Sequence, residues 1–295
     1  MSFVVLTDTS GNLQEKQIRD YDLKVIPFPY YYDGKEHTCL DTGAFQAEEF
    51  YKEIKKGRRV TTSQISPQRY ADFFEQDLKE GKDIIYISMS SGISGSYGSA
   101  LIGKELALER YPGRRIEIID SLGASLGEGL IALRAASLRE IGKNINEAAG
   151  ELRQMAKRMF NVFTVDDLMH LRRGGRLSNL AAMIGTVLHV KPILKGNESG
   201  KIVGFAKIPG RKKSIEALAE QYDKLAVAPE RQIVGIAQAA CRRDAEYLED
   251  LLRRSRPPKD ILTVDYEPVT GSHVGPGALA LFFEAGEDVR LVSSL

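Results

Sequence analysis

Residues Asp83 to Tyr111, DIIYISMSSGISGSYGSALIGKELALERY, decide how the rest of the chain is read. Asp83 to Met89 is a compact apolar run of strand length, and Leu101 to Tyr111 carries apolar residues at helical spacing. Between them lies a loop of Ser, Gly and one Ile. A strand, a small-residue loop and a helix together make an anion site. The helix start offers unpaired N–H groups and the positive end of its dipole, and glycine lets a ligand approach the backbone. Ser90, Ser91, Ser94 and Ser96 add hydroxyls. The same serines also serve as ordinary helix caps and turn residues, so the loop alone leaves both readings open.

Working outward, apolar runs alternate with helical patterns. Phe3 to Leu6 is a short buried-strand pattern ending in TDTSGN, which puts Asp8, Thr9 and Ser10 at a strand's carboxyl end, where open α/β sheets place ligands. Lys24 to Tyr32 is a second strand, held to an edge or irregular path by Pro27 and Pro29. Ala47 to Lys55 reads as a helix. The hydroxyl-rich TTSQ at Thr61 follows, and Ser66-Pro67 opens another helix running through Phe74. Arg115 to Ile119 and Asn161 to Val165 are further strands. The helix from Leu122 to Ile141 opens with Gly123, Gly127 and Gly129, which leave one face bare for close packing or for a ligand. Strands at Phe3, Lys24, Asp83, Arg115 and Asn161 alternating with helices predict a parallel sheet covered on both faces, a three-layer α/β/α domain over residues 1–165.

Residues 166–295 predict a smaller α/β domain, a mixed sheet with helices on one face. Its helices fall at Asn179 to Leu188, Ser214 to Leu225 and Asp244 to Arg253. Its strands fall at Val190 to Lys195, Lys201 to Ile208, Ile233 to Ala239, Ile261 to Tyr266 and Ala278 to Phe283, the first two joined by a turn at Gly196, Asn197, Ser199 and Gly200.

Composition narrows the function. With 295 residues, 43% of them hydrophobic, the chain can build two cores. Lys plus Arg number 41 against 40 Asp plus Glu, so no global charge draws it to nucleic acid or an anionic membrane. Cys39 and Cys241 are too few for a disulfide framework and lack metal-ligand spacing. No signal peptide or membrane-length apolar run is present, and the expectation is a cytoplasmic protein without metal or cofactor. Gly92-Ile93-Ser94-Gly95-Ser96 fails the hydrolase nucleophile elbow because Ser96 replaces its second glycine. No P-loop lysine motif appears. A phosphate- or nucleotide-binding subunit using the loop at 90–96 is the alternative enzyme reading. A DNA-binding regulator would have only local basic edges in its favour.

Four segments, TDTSGNL, the pair TTSQ and SSGISGSYGSA, LRRGGRLS followed by VKPIL, and GSHVGPGALALFF, occur in this order over almost the whole chain. Together they resemble the DegV family of bacterial fatty-acid-binding proteins. Asn12 departs where members often have an acid, Ile65 where many have proline and Ser272 where threonine is usual. The resemblance implies a two-domain fold that holds a long-chain fatty acid and presents it to a separate ATP-dependent fatty acid kinase. That kinase forms the acyl phosphate for phospholipid synthesis, so the binding subunit itself is not a catalyst. Thr62 and Ser94 match the carboxylate-holding hydroxyls and His273 the histidine beside the head group. More loosely, Arg173 and Arg211 match basic residues at a kinase-facing rim. A monomer with transient membrane contact is the simplest such carrier.

Chemistry agrees with that assignment. Thr62, Ser94 and the N–H groups of Gly95 and Ser96 could converge on a carboxylate, each charged hydrogen bond contributing about 1.5 to 3 kcal/mol. The acyl chain contributes about 0.8 kcal/mol per buried methylene before binding costs. His273 lies in a glycine-rich stretch, Gly271 to Gly277, and beside a carboxylate its charged form would be favoured. His37, His170 and His189 share no spacing and are read as structural. Arg172, Arg173 and Arg176 are expected either to pair with Asp166 and Asp167 or to face a partner.

Overall fold

The computed structural model describes residues 3–40, 43–177 and 190–292. The expected helix at 179–188, and His189, lie outside them. Strands β1 (Phe3–Asp8) and β2 (Leu23–Ile26) begin a parallel sheet. The second strand stops before Pro27, and the chain resumes in β3 (Tyr30–Tyr32), which pairs antiparallel with β4 (Lys35–His37) and β5 (Thr61–Thr62). The expected single run from Lys24 to Tyr32 is thus split at its prolines, which cannot donate to a ladder. β6 (Asp83–Ser88) and β7 (Ile116–Asp120) complete the parallel sheet in the order β2-β1-β6-β7.

Side chains alternate across that sheet. Leu6, Ile84 and Tyr86 share one core with residues of α3 (Pro67–Leu78) and α4 (Ser96–Arg110), which follow α1 (Glu15–Asp20) and α2 (Ala47–Lys55) in the chain. Val5, Ile85 and Ile87 point to the other face, into a core with α5 (Leu126–Glu140) and α6 (Ile145–Arg158). This is the three-layer arrangement the alternation predicts.

β8 (Met159–Thr164) corrects one expectation. It does not extend the parallel sheet; it pairs antiparallel with β9 (Val190–Gly196) and β13 (Leu279–Glu284) inside a six-stranded mixed sheet. The order is β10-β9-β8-β13-β11-β12, with β10 at Ile202–Pro209, β11 at Ile233–Gln238 and β12 at Asp260–Asp265. A short buried run carries no record of its direction or partners, and both neighbours of β8 come later in the chain.

The second correction concerns cover. Helices α8 (Arg211–Leu225) and α9 (Arg242–Ser255) contribute to the core on one face of the mixed sheet, after the short α7 (Met169–Gly174). The other face is covered too, by α5. Eleven of its fifteen residues are buried, and it lies between the two sheets, with residues of both in its core. A side chain at Gly235 on β11 would collide with Leu126 of this helix. Helix α5 begins four residues later than expected because Leu122 and Ser125 have left-handed backbone, φ 53° and 54°.

Candidate functional site

The serine loop between β6 and α4 is clasped from two sides. Ser90 is fully buried; its N–H donates to Gly123 O at 2.8 Å and its hydroxyl to Gly200 O at 2.9 Å. Gly200 lies in the β9–β10 turn with φ +67°, and a Cβ there would fall on Ser90 Oγ. A Cβ on Gly92 would strike the same turn. Ser94 Oγ accepts from Ser96 N–H at 3.1 Å, which leaves its own hydrogen for a further acceptor. Ser96 is spent on the fold: its N–H serves Ser94 and its buried hydroxyl accepts from Ile65 N–H at 3.2 Å. Of the expected donors on this loop, Ser94 and Gly95 line the central cavity and Ser96 does not. Gln64 of TTSQ crosses the start of α4, where a Cβ on Gly95 would meet its Oε1, and its amide donates to Ser99 Oγ.

Thr62 and His273 are brought together from opposite ends of the chain. Thr62 is held by β5, paired with Tyr30 of β3. His273 lies on a helix rather than the loop its glycines suggest, α10 (Pro268–Val274), whose N-cap is the buried carboxylate of Glu267 accepting from Val269 and Thr270 N–H. Thr62 Oγ1 and His273 Nε2 are 2.8 Å apart. The imidazole rests on Gly174, where a Cβ would fall on Nδ1, while Gly175 takes the left-handed C-cap of α7 at φ +70°. The paired glycines of LRRGGRLS therefore have separate tasks. Burial, and then the nearby Arg176 charge, push His273 down to about 4. The protein's own groups hold it neutral, so the expected cationic donor would need a bound anion's charge to restore it.

Arg176 was expected to pair with an aspartate or face a partner. Its Nε donates to Ile93 O at 3.2 Å and Nη1 to Gly174 O, tying α7 to the serine loop. Asp166 instead binds Lys191 at 2.7 Å, and Asp167 caps Met169 N–H. Arg211, expected at a rim, lies within the fold, with Nε 2.8 Å from Asp244 and Nη1 3.8 Å from Asp166. Arg173 is exposed and lines an outer groove beside Thr62 and His273, together with Arg58 and Arg59. His37 stacks on Tyr32 at 3.9 Å, and His170 fills the space beside Gly275.

Thr62, Ser94, Arg176 and His273 line a cavity of about 140 Å³ that is partly open to solvent. Much of its lining is apolar, with Phe28, Met89, Phe163, Leu171, Ile202 and Phe282. TDTSGN, expected near a ligand, is structural. Ser10 Oγ lies 2.5 Å from Asp8 Oδ1 and 2.7 Å from Glu128 Oε2, and Tyr86 donates to Asp8 at 2.6 Å. Asn12 joins the two halves by donating to Asp265 O and accepting from Glu267 N–H. Sequence reasoning missed the Asp8–Glu128 pair because the two acids lie 120 positions apart and only tertiary packing joins them. Among the described residues, no three or more His, Cys, Asp or Glu could hold a metal ion, and no helix is long and apolar enough to cross a membrane.

Two sheets sharing a buried helix, with a largely apolar cavity lined in part by the serine loop, define an α/β protein whose cavity carries hydroxyl groups in an apolar wall. The family model described as "Uncharacterised protein, DegV family" matches residues 2–286, and the chain belongs to that family. It is 38% identical over 282 residues to a DegV domain-containing protein of Clostridium perfringens, covering 95% of this chain and 97% of that one. Among solved structures it resembles a fatty-acid-binding DegV family protein from Thermus thermophilus, with TM-score 0.87, 27% identity and coverage of 97% and 100%. It also resembles DegV, a fatty-acid-binding protein from Bacillus subtilis, with TM-score 0.83, 30% identity and the same coverage.

Proposed function

We propose that this chain binds one long-chain fatty acid, with the acyl chain in the cavity and the carboxylate at Thr62, Ser94, Gly95 and His273. The observation that carries the reading is the Thr62–His273 pair, 2.8 Å apart, in the lining of a largely apolar cavity. With the ring hydrogen on Nε2, His273 donates to Thr62, whose own hydrogen then serves a ligand oxygen beside that of Ser94. Affinity comes mainly from buried methylenes and head-group choice from the hydroxyls. Membership of the family supports this reading, as do its solved members described as fatty-acid-binding.

The finer reading is that the chain is a non-catalytic, cytoplasmic, monomeric subunit. It presents the carboxylate to an ATP-dependent kinase, with Arg173 in the groove beside the head group as a partner contact. Residues 1–165 supply the carboxylate loop and 166–295 the His273 helix. Native mass spectrometry of the purified protein, followed by organic extraction, tests the binding step: a stoichiometric fatty acid supports it. A protein that stays empty when offered acids over a range of lengths overturns it. His273→Ala then tests presentation, since acyl-phosphate formation with the kinase should fall further than lipid affinity does.

A further inference from the structure

We propose that Arg290 is a positioning residue for the bound carboxylate: it sets Ser94 by holding both backbone segments that clasp Ser90; this rests on the fatty-acid reading above. Arg290 lies in a single 3-10 turn, Val289–Leu291, after the last strand, and is 4% exposed. Its guanidinium donates to four backbone carbonyl oxygens. Nε reaches Ala156 O at 3.1 Å, Nη2 reaches Met159 O at 2.7 Å, and Nη1 reaches Leu122 O at 2.9 Å and Asn197 O at 3.3 Å. Its own carbonyl accepts from the buried Lys195 at 2.8 Å.

Burying a cation without a carboxylate against it is costly, and an apolar side chain would avoid that cost. What the guanidinium supplies is a rigid planar fork that fixes several acceptors at once. Two of those acceptors belong to the supports of the serine loop. Leu122, in left-handed backbone at φ 53°, precedes Gly123, whose carbonyl accepts from Ser90 N–H. Asn197 O also accepts from Gly200 N–H at 2.9 Å, and Gly200 O accepts from the Ser90 hydroxyl. Ser90 O in turn accepts from Ile93 and Ser94 N–H, at 3.2 and 3.1 Å. A single nitrogen, Nη1, therefore joins the two supports of Ser90, and Ser90 carries the turn that presents Ser94 to the cavity. Arg290 is not part of the cavity lining, so it acts through Ser94 and not on the ligand.

The test measures affinity for a long saturated fatty acid and for the alcohol of equal length, on the full chain and on Arg290→Lys and Arg290→Met. The wild type should prefer the acid by about 10-fold or more, the strength of one charged hydrogen bond. Lysine keeps the charge and loses the fork, so in both variants that preference should fall to about 3-fold or less. Adding Ser94→Ala to Arg290→Met should then cost little more, because both changes remove the same contact. A preference kept by Arg290→Lys, or losses that multiply in the double variant, overturns the proposal while the fatty-acid reading stands. If the variants do not fold, nuclear magnetic resonance of the wild type decides. Coupling is reciprocal, so the acid should slow hydrogen exchange of the Arg290 guanidinium more than the alcohol does, and equal protection overturns the proposal. A wild type that binds acid and alcohol alike, or neither, overturns the reading of the carboxylate site, and the proposal falls with it.

Discussion

Ser10 has one hydroxyl hydrogen and two carboxyl neighbours, Asp8 and Glu128. One of those contacts therefore requires a proton on a carboxyl group. Burial, and then the charge of Asp8, push Glu128 well above the usual carboxylate range, so Glu128 carries the proton and Ser10 passes its own hydrogen to Asp8. A folded-state value raised above the unfolded one gives stability that is complete below the unfolded value and lost as pH rises through the folded one. Glu128→Gln keeps a donor for Ser10 and an acceptor for Thr7 without titrating. It should stay within about 1 kcal/mol of the wild type at neutral pH and flatten the loss toward alkaline pH, whereas Glu128→Ala should cost about 2 to 4 kcal/mol. Urea unfolding at several pH values measures both. His273 has the opposite sign. Its value near 4 lies below that of a free imidazole, so its contribution is complete above about 6.5 and declines as the solution is acidified toward 4. An NMR titration of the imidazole protons should show a neutral ring at pH 6, and added fatty acid should move the midpoint upward.

At the scale of elements, the site depends on close approaches that only glycine permits. Gly174 ends α7 with the His273 ring against its Cα. Alanine is favoured over glycine in a helix by about 1 kcal/mol, which offsets part of the cost of moving the buried ring, so Gly174→Ala should lower melting temperature only slightly. The displaced imidazole should still lower acyl-phosphate formation by about tenfold or more. That separation distinguishes a head-group effect from a folding effect. Gly200→Ala should behave differently. Its left-handed backbone disfavours a Cβ by about 1–2 kcal/mol, and the added atom displaces the Ser90 hydroxyl. Both stability and fatty-acid affinity should fall, because the turn that holds the serine loop has shifted. Calorimetry and a binding titration on the same sample would show the two losses together.

Across the whole molecule, two arginines of similar expected role occupy dissimilar places. Arg211 spans Asp244 and Asp166, with its Nη atoms buried. Arg211→Ala should therefore lower stability, since two acids lose a partner. Arg173 is exposed in the groove near Thr62 and His273. Arg173→Ala should leave melting temperature unchanged and weaken association with the proposed kinase partner, and that association should itself weaken with added salt. If Arg173→Ala binds the kinase normally, the groove is not the docking face.

Local pattern was enough to read the α/β class, the parallel sheet around Asp83 to Ser88, the small-residue loop and the helix after it, because period and turn chemistry act between near neighbours. The same pattern, with the family resemblance, proposed Thr62, Ser94 and His273 as ligand contacts, and the fold brings all three to one cavity. Local pattern had no means to show that β8 joins the mixed sheet, that Ser96 is spent on Ile65, or that Arg211 is an internal brace. Nor could it place Arg290 behind the supports of the serine loop or Glu128 against Asp8. Those outcomes depend on which distant groups meet and on how much water is left between them, and packing the two sheets around α5 decides both.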